Sequence, residues 1–129
     1  MAKKQIKALG ASGRAVEFAY EGSVKEGVTL ELAGRPPIRA SFFEAILGRF
    51  AGQEVSGGFS TTNTNPFGLG AWVEDNSRLL NGRKLTPRHA SYIAAILTHE
   101  GYITSHLDGR TVALVFPGEP PSPETAGCQ

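Results

Sequence analysis

"NGRKLTPRHASYIAAILTHEGYITSHLDGRTVALVF", residues 81–116, holds a basic turn, a helix marked at both ends and a hairpin in one run. Thr86 is an N-cap residue, and Pro87 stands at the first helical position, where its missing N–H costs nothing. Gly101 after Glu100 closes the segment, so the spacing predicts a helix over residues 86–100. Two short β-runs then flank Asp108 and Gly109, a dipeptide suited to a type I′ turn, which predicts a hairpin over residues 103–116.

At about 100° per residue the helix sorts into two sides. Ala90, Ile93 and Leu97 form an apolar stripe, with Ala94 and Ile96 on its margins. Opposite lie Arg88, Ser91, Tyr92, Ala95 and His99, a polar and aromatic side with a small residue in its middle. Guanidinium, hydroxyl, phenol and imidazole groups all reach base edges or phosphates, and an alanine lets a helix approach a groove closely. Arg83, Lys84 and Arg88 surround the helix N-terminus, where free N–H groups and the positive dipole end favour an anion. No acidic residue occurs between Arg78 and His99. The plain alternative is that these bases are solvated surface.

Upstream, "RAVEFAYEG" alternates Val16, Phe18 and Tyr20 with Glu17, Ala19 and Glu21, the period-two mark of a half-buried strand. "GVTLELAG" repeats the alternation with Val28, Leu30 and Leu32. The glycines between them suit a turn, so an N-terminal antiparallel hairpin is expected. "RASFFEAILGRFAG" changes to helical period. Ser41 and Glu44 are spaced as a capping box, Phe43, Ile46, Leu47 and Phe50 share a stripe, and Gly52 suits a C-terminal cap. Another helix is expected from Leu69 to Leu80, with Leu69, Trp72, Val73, Asn76, Leu79 and Leu80 on its inner pattern, Glu74 and Asp75 facing away, and Asn81-Gly82 ending it. Between these helices the glycine-rich stretch 56–70 has neither the Walker nor the dinucleotide fingerprint and reads as a connecting loop. Phe59 and Phe67 within it are aromatics free to dock a partner.

The 129 residues suit one domain. Apolar runs stay far below the roughly 20 residues of a membrane span, and no signal-peptide core follows the N-terminal lysines, so a cytoplasmic location is expected. The net charge of +1 conceals segregation. Residues 1–14 carry four bases and no acid, residues 15–77 four bases against eight acids, and residues 78–116 five bases against two acids. Two basic zones permit a polyanion partner. The expected organisation is a basic arm over 1–13, a single domain over 14–116, and a disordered proline-rich tail over 117–129, whose Cys128 is an inert tail residue.

Helix, basic turn, second helix, glycine and hairpin in this order resemble the winged helix-turn-helix family of DNA-binding domains, over residues 41–116. The resemblance implies an α+β, three-helix winged helix-like fold with the N-terminal hairpin added and the C-terminal hairpin as its wing. It implies that helix 86–100 enters the major groove, with Arg88, Ser91, Tyr92 and His99 facing it and Arg83 and Lys84 on phosphates. Arg110 would sit at the wing tip. The expected partner is nucleic acid, duplex DNA first, and the expected role is non-enzymatic. A protein-interaction adaptor, a subunit of a nucleoprotein assembly or a homodimer is the alternative reading. The three histidines, His89, His99 and His106, do not make a zinc pattern, and neither metal nor cofactor is expected. An enzyme built around the glycine-rich stretch with His89 or His99 is a third reading.

Overall fold

The alternation Phe18, Tyr20 and Val28, Leu30 lays four apolar side chains on one face of a sheet, and all four are buried in the computed structural model. The structure describes residues 4–7, 17–32, 34, 36–57, 68–108 and 111–118. Strands β2 (Glu17–Ser23) and β3 (Gly27–Leu30) pair antiparallel, as the sequence predicts, with Tyr20 opposite Leu30. The hairpin does not stand alone. Two short strands extend it, β1 (Lys4–Lys7) against β2 and β4 (Pro37–Ile38) against β3, giving a four-stranded sheet in the order β1-β2-β3-β4. Lys4–Lys7, part of the expected basic arm, is therefore an edge strand, with Ile6 opposite Phe18 and packed against the core. Residues 1–3 and 8–13 of that arm lie outside the described residues.

Helix α1 (Ala40–Arg49) buries Phe42, Phe43, Ile46 and Leu47. Its start corrects the capping-box expectation. The helix begins one residue before Ser41, Arg39 is the N-cap, and no side chain of its own caps it. Asn81 acts instead, its Oδ1 accepting the Arg39 N–H at 2.8 Å while its Nδ2 donates to Pro37 O at 2.9 Å. The acceptor that a capping box takes from three residues on comes here from another helix.

Strand β5 (Glu54–Ser56) follows α1 and overlaps the stretch read as a loop, residues 56–70, only at Ser56. Helix α2 (Leu69–Asn81) ends on Gly82 in the left-handed conformation, φ 75°. Its buried line runs through Leu69, Gly70, Val73, Ser77 and Asn81. That line is rotated from the expected one, and Leu79 falls on the outer side, 82% exposed. Trp72 stacks on Phe42 at 5.7 Å and meets Phe50 edge-on at 5.9 Å, which joins α2 to α1. Helix α3 (Pro87–His99) has Thr86 as N-cap, as the sequence predicts.

The last hairpin is β6 (Thr104–Asp108) against β7 (Thr111–Val115), and β5 pairs with the other edge of β7, giving a second antiparallel sheet in the order β5-β7-β6. Asp108 is itself paired with Thr111; Gly109 and Arg110 lie outside the described residues. So do residues 58–67 of the glycine-rich stretch with both its phenylalanines, and residues 119–129 of the tail. Of the rest of that stretch, Ser56 ends β5, Gly57 bridges by donating to Val112 O and accepting from Gly70 N–H at 2.8 and 2.9 Å, and Leu69 and Gly70 are helical.

A single hydrophobic cluster runs through both sheets and all three helices. Burying an aliphatic or aromatic side chain stabilises by about 1.5–3 kcal/mol. Phe18, Val28, Leu30 and Ile38, each at most 5% exposed, therefore make the N-terminal sheet a wall of the core and not a detachable flap. The chain is thus an α+β protein with three helices and two small antiparallel sheets among its described residues.

Candidate nucleic-acid interface

Helix α3 is buried almost all round. Ala90, Ile93, Ala94, Ile96 and Leu97 have no exposed surface. Neither has much of the side expected to face a groove: Ala95, at its centre, is 3% exposed and Ser91 7%. Ser91 Oγ donates to Arg88 O at 2.7 Å, a bond within the helix that occupies its proton. Tyr92 is half-buried, meeting Phe18 of β2 edge-on at 4.8 Å. The small residue that would have admitted a groove is itself closed off from solvent. Arg88 and His99 remain exposed, at opposite ends of the helix. Eleven residues separate them, about 16 Å along the axis, so they do not form one reading surface, and the closed middle corrects the expectation that Arg88, Ser91, Tyr92 and His99 act together.

The C-terminal end of α3 is held to the sheet. Glu100, its C-cap, accepts from Tyr20 Oη at 2.7 Å and from the Val24 N–H at 3.0 Å, and Lys4 Nζ lies 3.7 Å away. Burial first, then the hydrogen bond and the charge of Glu100, push the Tyr20 phenol well above its ordinary range. The shift keeps the phenol protonated and donating at neutral pH. Lys4 also donates to Gly22 O at 2.9 Å and lies over the Tyr20 ring.

The N-terminal end is different. Arg83, Lys84 and Arg88 are all exposed there, as the sequence predicts, and a fourth base joins them from a distant part of the chain. The Arg39 guanidinium lies over Gly82: a Cβ built on that glycine would come within 2.5 Å of Nη2. Arg83 reaches the other way, Nη1 donating to Gly34 O at 3.1 Å. No ion pair among the described residues engages any of the four; the two ion pairs there are Lys4 with Glu100 and His106 with Glu54. Ser77 Oγ accepts the Leu85 N–H at 2.7 Å in buried surroundings and fixes the turn that carries Arg83 and Lys84.

His89 belongs to this corner but faces inward. Its Nδ1 accepts the Thr86 N–H at 3.1 Å, which requires that nitrogen to be unprotonated. Burial first, then Arg83 and Arg88, lower its pKa below the ordinary histidine value. Its Nδ1 thus serves as the acceptor of the α3 cap. Among the described residues no cluster of three or more His, Cys, Asp or Glu side chains could hold a metal, and no helix is long and apolar enough to cross a membrane.

Sequence reasoning missed Arg39, Gly34 and the bridging role of Asn81. Asn81 was legible only as a helix terminator, and Arg39 lies 42 residues before it, a distance no local pattern spans. No protein-family model, curated protein or solved structure matches the chain.

Proposed function

We propose that the protein binds nucleic acid, duplex DNA in the first place, through the basic corner between α2 and α3, as a winged helix-like domain without catalytic activity. The observation that carries this reading is the set of four exposed bases, Arg39, Arg83, Lys84 and Arg88, gathered at one corner with no carboxylate among the described residues paired to them. Like charges held together without acids raise the local potential and favour a polyanion, and the N-terminal end of α3 adds its dipole in the same sense. The chain order supports the fold assignment: β5 supplies, between α1 and α2, the short strand that a winged helix places there, and it pairs with the strand that returns from the C-terminal hairpin.

The mode differs from the one the resemblance implies. With Ser91 and Ala95 buried and Tyr92 against Phe18, α3 meets the duplex with its end and not its side. Contacts then fall on phosphates, which position without reading sequence. Binding is expected to weaken steeply with salt and to vary little among duplexes of different sequence. Fluorescence anisotropy of a labelled duplex, titrated at about 50 and 200 mM salt, tests both points; salt-independent binding, or none at the lower salt, would sink the proposal.

A further inference from the structure

Two glycines at the basic corner carry an arginine each. Gly82 has φ 75° and Gly34 has φ 79°, backbone conformations that L side chains rarely adopt. Over Gly82 lies the Arg39 guanidinium, so close that a Cβ there would stand 2.5 Å from Nη2 and 3.0 Å from Cζ. Over Gly34 lies the Arg83 guanidinium, 2.8 Å from the corresponding Cβ position, with its Nη1 bonded to the Gly34 carbonyl. The exchange is reciprocal. Arg39, from the junction of β4 and α1, rests on the α2–α3 turn; Arg83, from that turn, rests on the turn between β3 and β4.

Because Gly82 directly precedes Arg83 in the chain, the seat of Arg39 and the backbone from which Arg83 springs are adjacent. The exchange gains the bond from Arg83 Nη1 to Gly34 O; against it, like charges repel, and long side chains lose rotamer freedom when they are held. Arg39 is further fixed at its backbone by Asn81, whose amide ties it to Pro37 and the end of α2. A planar guanidinium presents its donors in a fork that matches phosphate oxygens, and holding it beforehand removes part of the ordering cost of binding.

We propose that Arg39 and Arg83 form a preorganised guanidinium clamp for the phosphodiester backbone, and that Gly34 and Gly82 are the positioning residues that seat it. The clamp rests on the nucleic-acid reading above and adds to it a residue, Arg39, and a reason for two glycines.

Anisotropy titrations of the full chain with duplex DNA at two salt concentrations test it through Arg39→Gln, Gly82→Asn and the double variant. Asparagine tolerates the left-handed conformation, so it displaces the guanidinium while keeping the turn. Arg39→Gln is expected to reduce the slope of log affinity against log salt by about one without changing the melting temperature. Gly82→Asn is expected to weaken binding roughly two- to tenfold, the cost of ordering one long side chain. The double variant should bind no more weakly than Arg39→Gln alone, since an absent guanidinium needs no seat. Additive losses, or no loss in either single variant, overturn the clamp. If Gly82→Asn does not fold, Arg39→Lys replaces it: it should keep the salt slope and lose affinity, and full affinity overturns the clamp. Wild-type protein that binds no duplex at low salt overturns the functional reading and the clamp with it. Binding that Lys84→Gln weakens but the Arg39 and Gly82 variants do not overturns the clamp alone.

Discussion

The two ends of α3 both carry charge of the sign that a helix dipole disfavours, and the molecule treats them oppositely. At the C-terminal end, where negative charge is unwelcome, Glu100 is enclosed by Tyr20, the Val24 N–H and Lys4. At the N-terminal end, where positive charge is unwelcome, Arg83, Lys84 and Arg88 stay exposed, and Arg39 is added to them. One end is satisfied from within the chain and serves to hold the N-terminal sheet. The other has no ion-pair partner among the described residues, and the proposed function assigns it one outside the chain. A charge partnered within the chain thus bears on stability, and one without an ion-pair partner among the described residues is where the proposed function is to be tested.

Breaking the satisfied end gives the largest effect. Glu100→Ala leaves the Tyr20 hydroxyl and the Val24 N–H without their acceptor, and two hydrogen bonds to a charged group suggest a loss of about 3 kcal/mol. Urea unfolding measures it, and a change below about 1 kcal/mol would mean that the sheet is not held there. Removing Arg83, Lys84 and Arg88 together sharpens the contrast from the other side. Duplex affinity at about 0.1 M salt should fall on the order of a hundredfold and the salt slope by about three, with stability unchanged to within about 0.5 kcal/mol. A triple variant that unfolds readily would move these bases to the structural side of the comparison.

A smaller effect separates the cap from the charges around it. His89 has a lowered pKa in the folded protein, so as the pH drops below about 6.5 the unfolded chain takes up the proton first. Stability is therefore level above that pH and declines below it, until the folded form also protonates. Glutamine at this helical position can accept the same Thr86 N–H, so His89→Gln should remove that part of the acid loss. Parallel denaturation curves at pH 7.5 and 5.5 for the two proteins would show the difference, and identical pH dependence would refute it. The smallest change is expected for Lys4→Gln, about 0.5 kcal/mol, because its side chain is 41% exposed beside Glu100.

Local pattern made much of the fold legible. Alternation located the β2–β3 pair, helical spacing the inner face of α1, and the Thr86-Pro87 pair the start of α3. What escaped depends on partners far away in sequence. Lys4–Lys7 has a single apolar residue, Ile6, too little for an alternation signal, and is a strand only because β2 offers an edge. The helical wheel separated a polar side of α3 correctly, but it cannot say what lies opposite. Ala95 and Tyr92 suit a closely approaching partner, but Ala95 is buried within the protein and Tyr92 meets Phe18 of its own sheet. Leu79 shows the reverse error: it fits the apolar spacing of α2, yet the burial line is turned toward Ser77 and Asn81, whose side chains bond to Leu85 and to Arg39 and Pro37. At the candidate site, Arg83, Lys84 and Arg88 were readable from clustering, whereas Arg39 enters only through the fold.

The bonds from Glu100 to Tyr20 and Val24 span 80 and 76 residues. A ribosome adds about 5–20 residues per second, so several seconds pass between the synthesis of β2 and that of the carboxylate that secures it. Through that interval the apolar faces of Phe18, Tyr20 and Leu30 await α3, whose packing closes the core late. Contacts of such sequence separation slow folding and lengthen the exposure of aggregation-prone surface, which makes the early sheet, and not the late helix, the apolar surface of the nascent chain that waits longest for its cover.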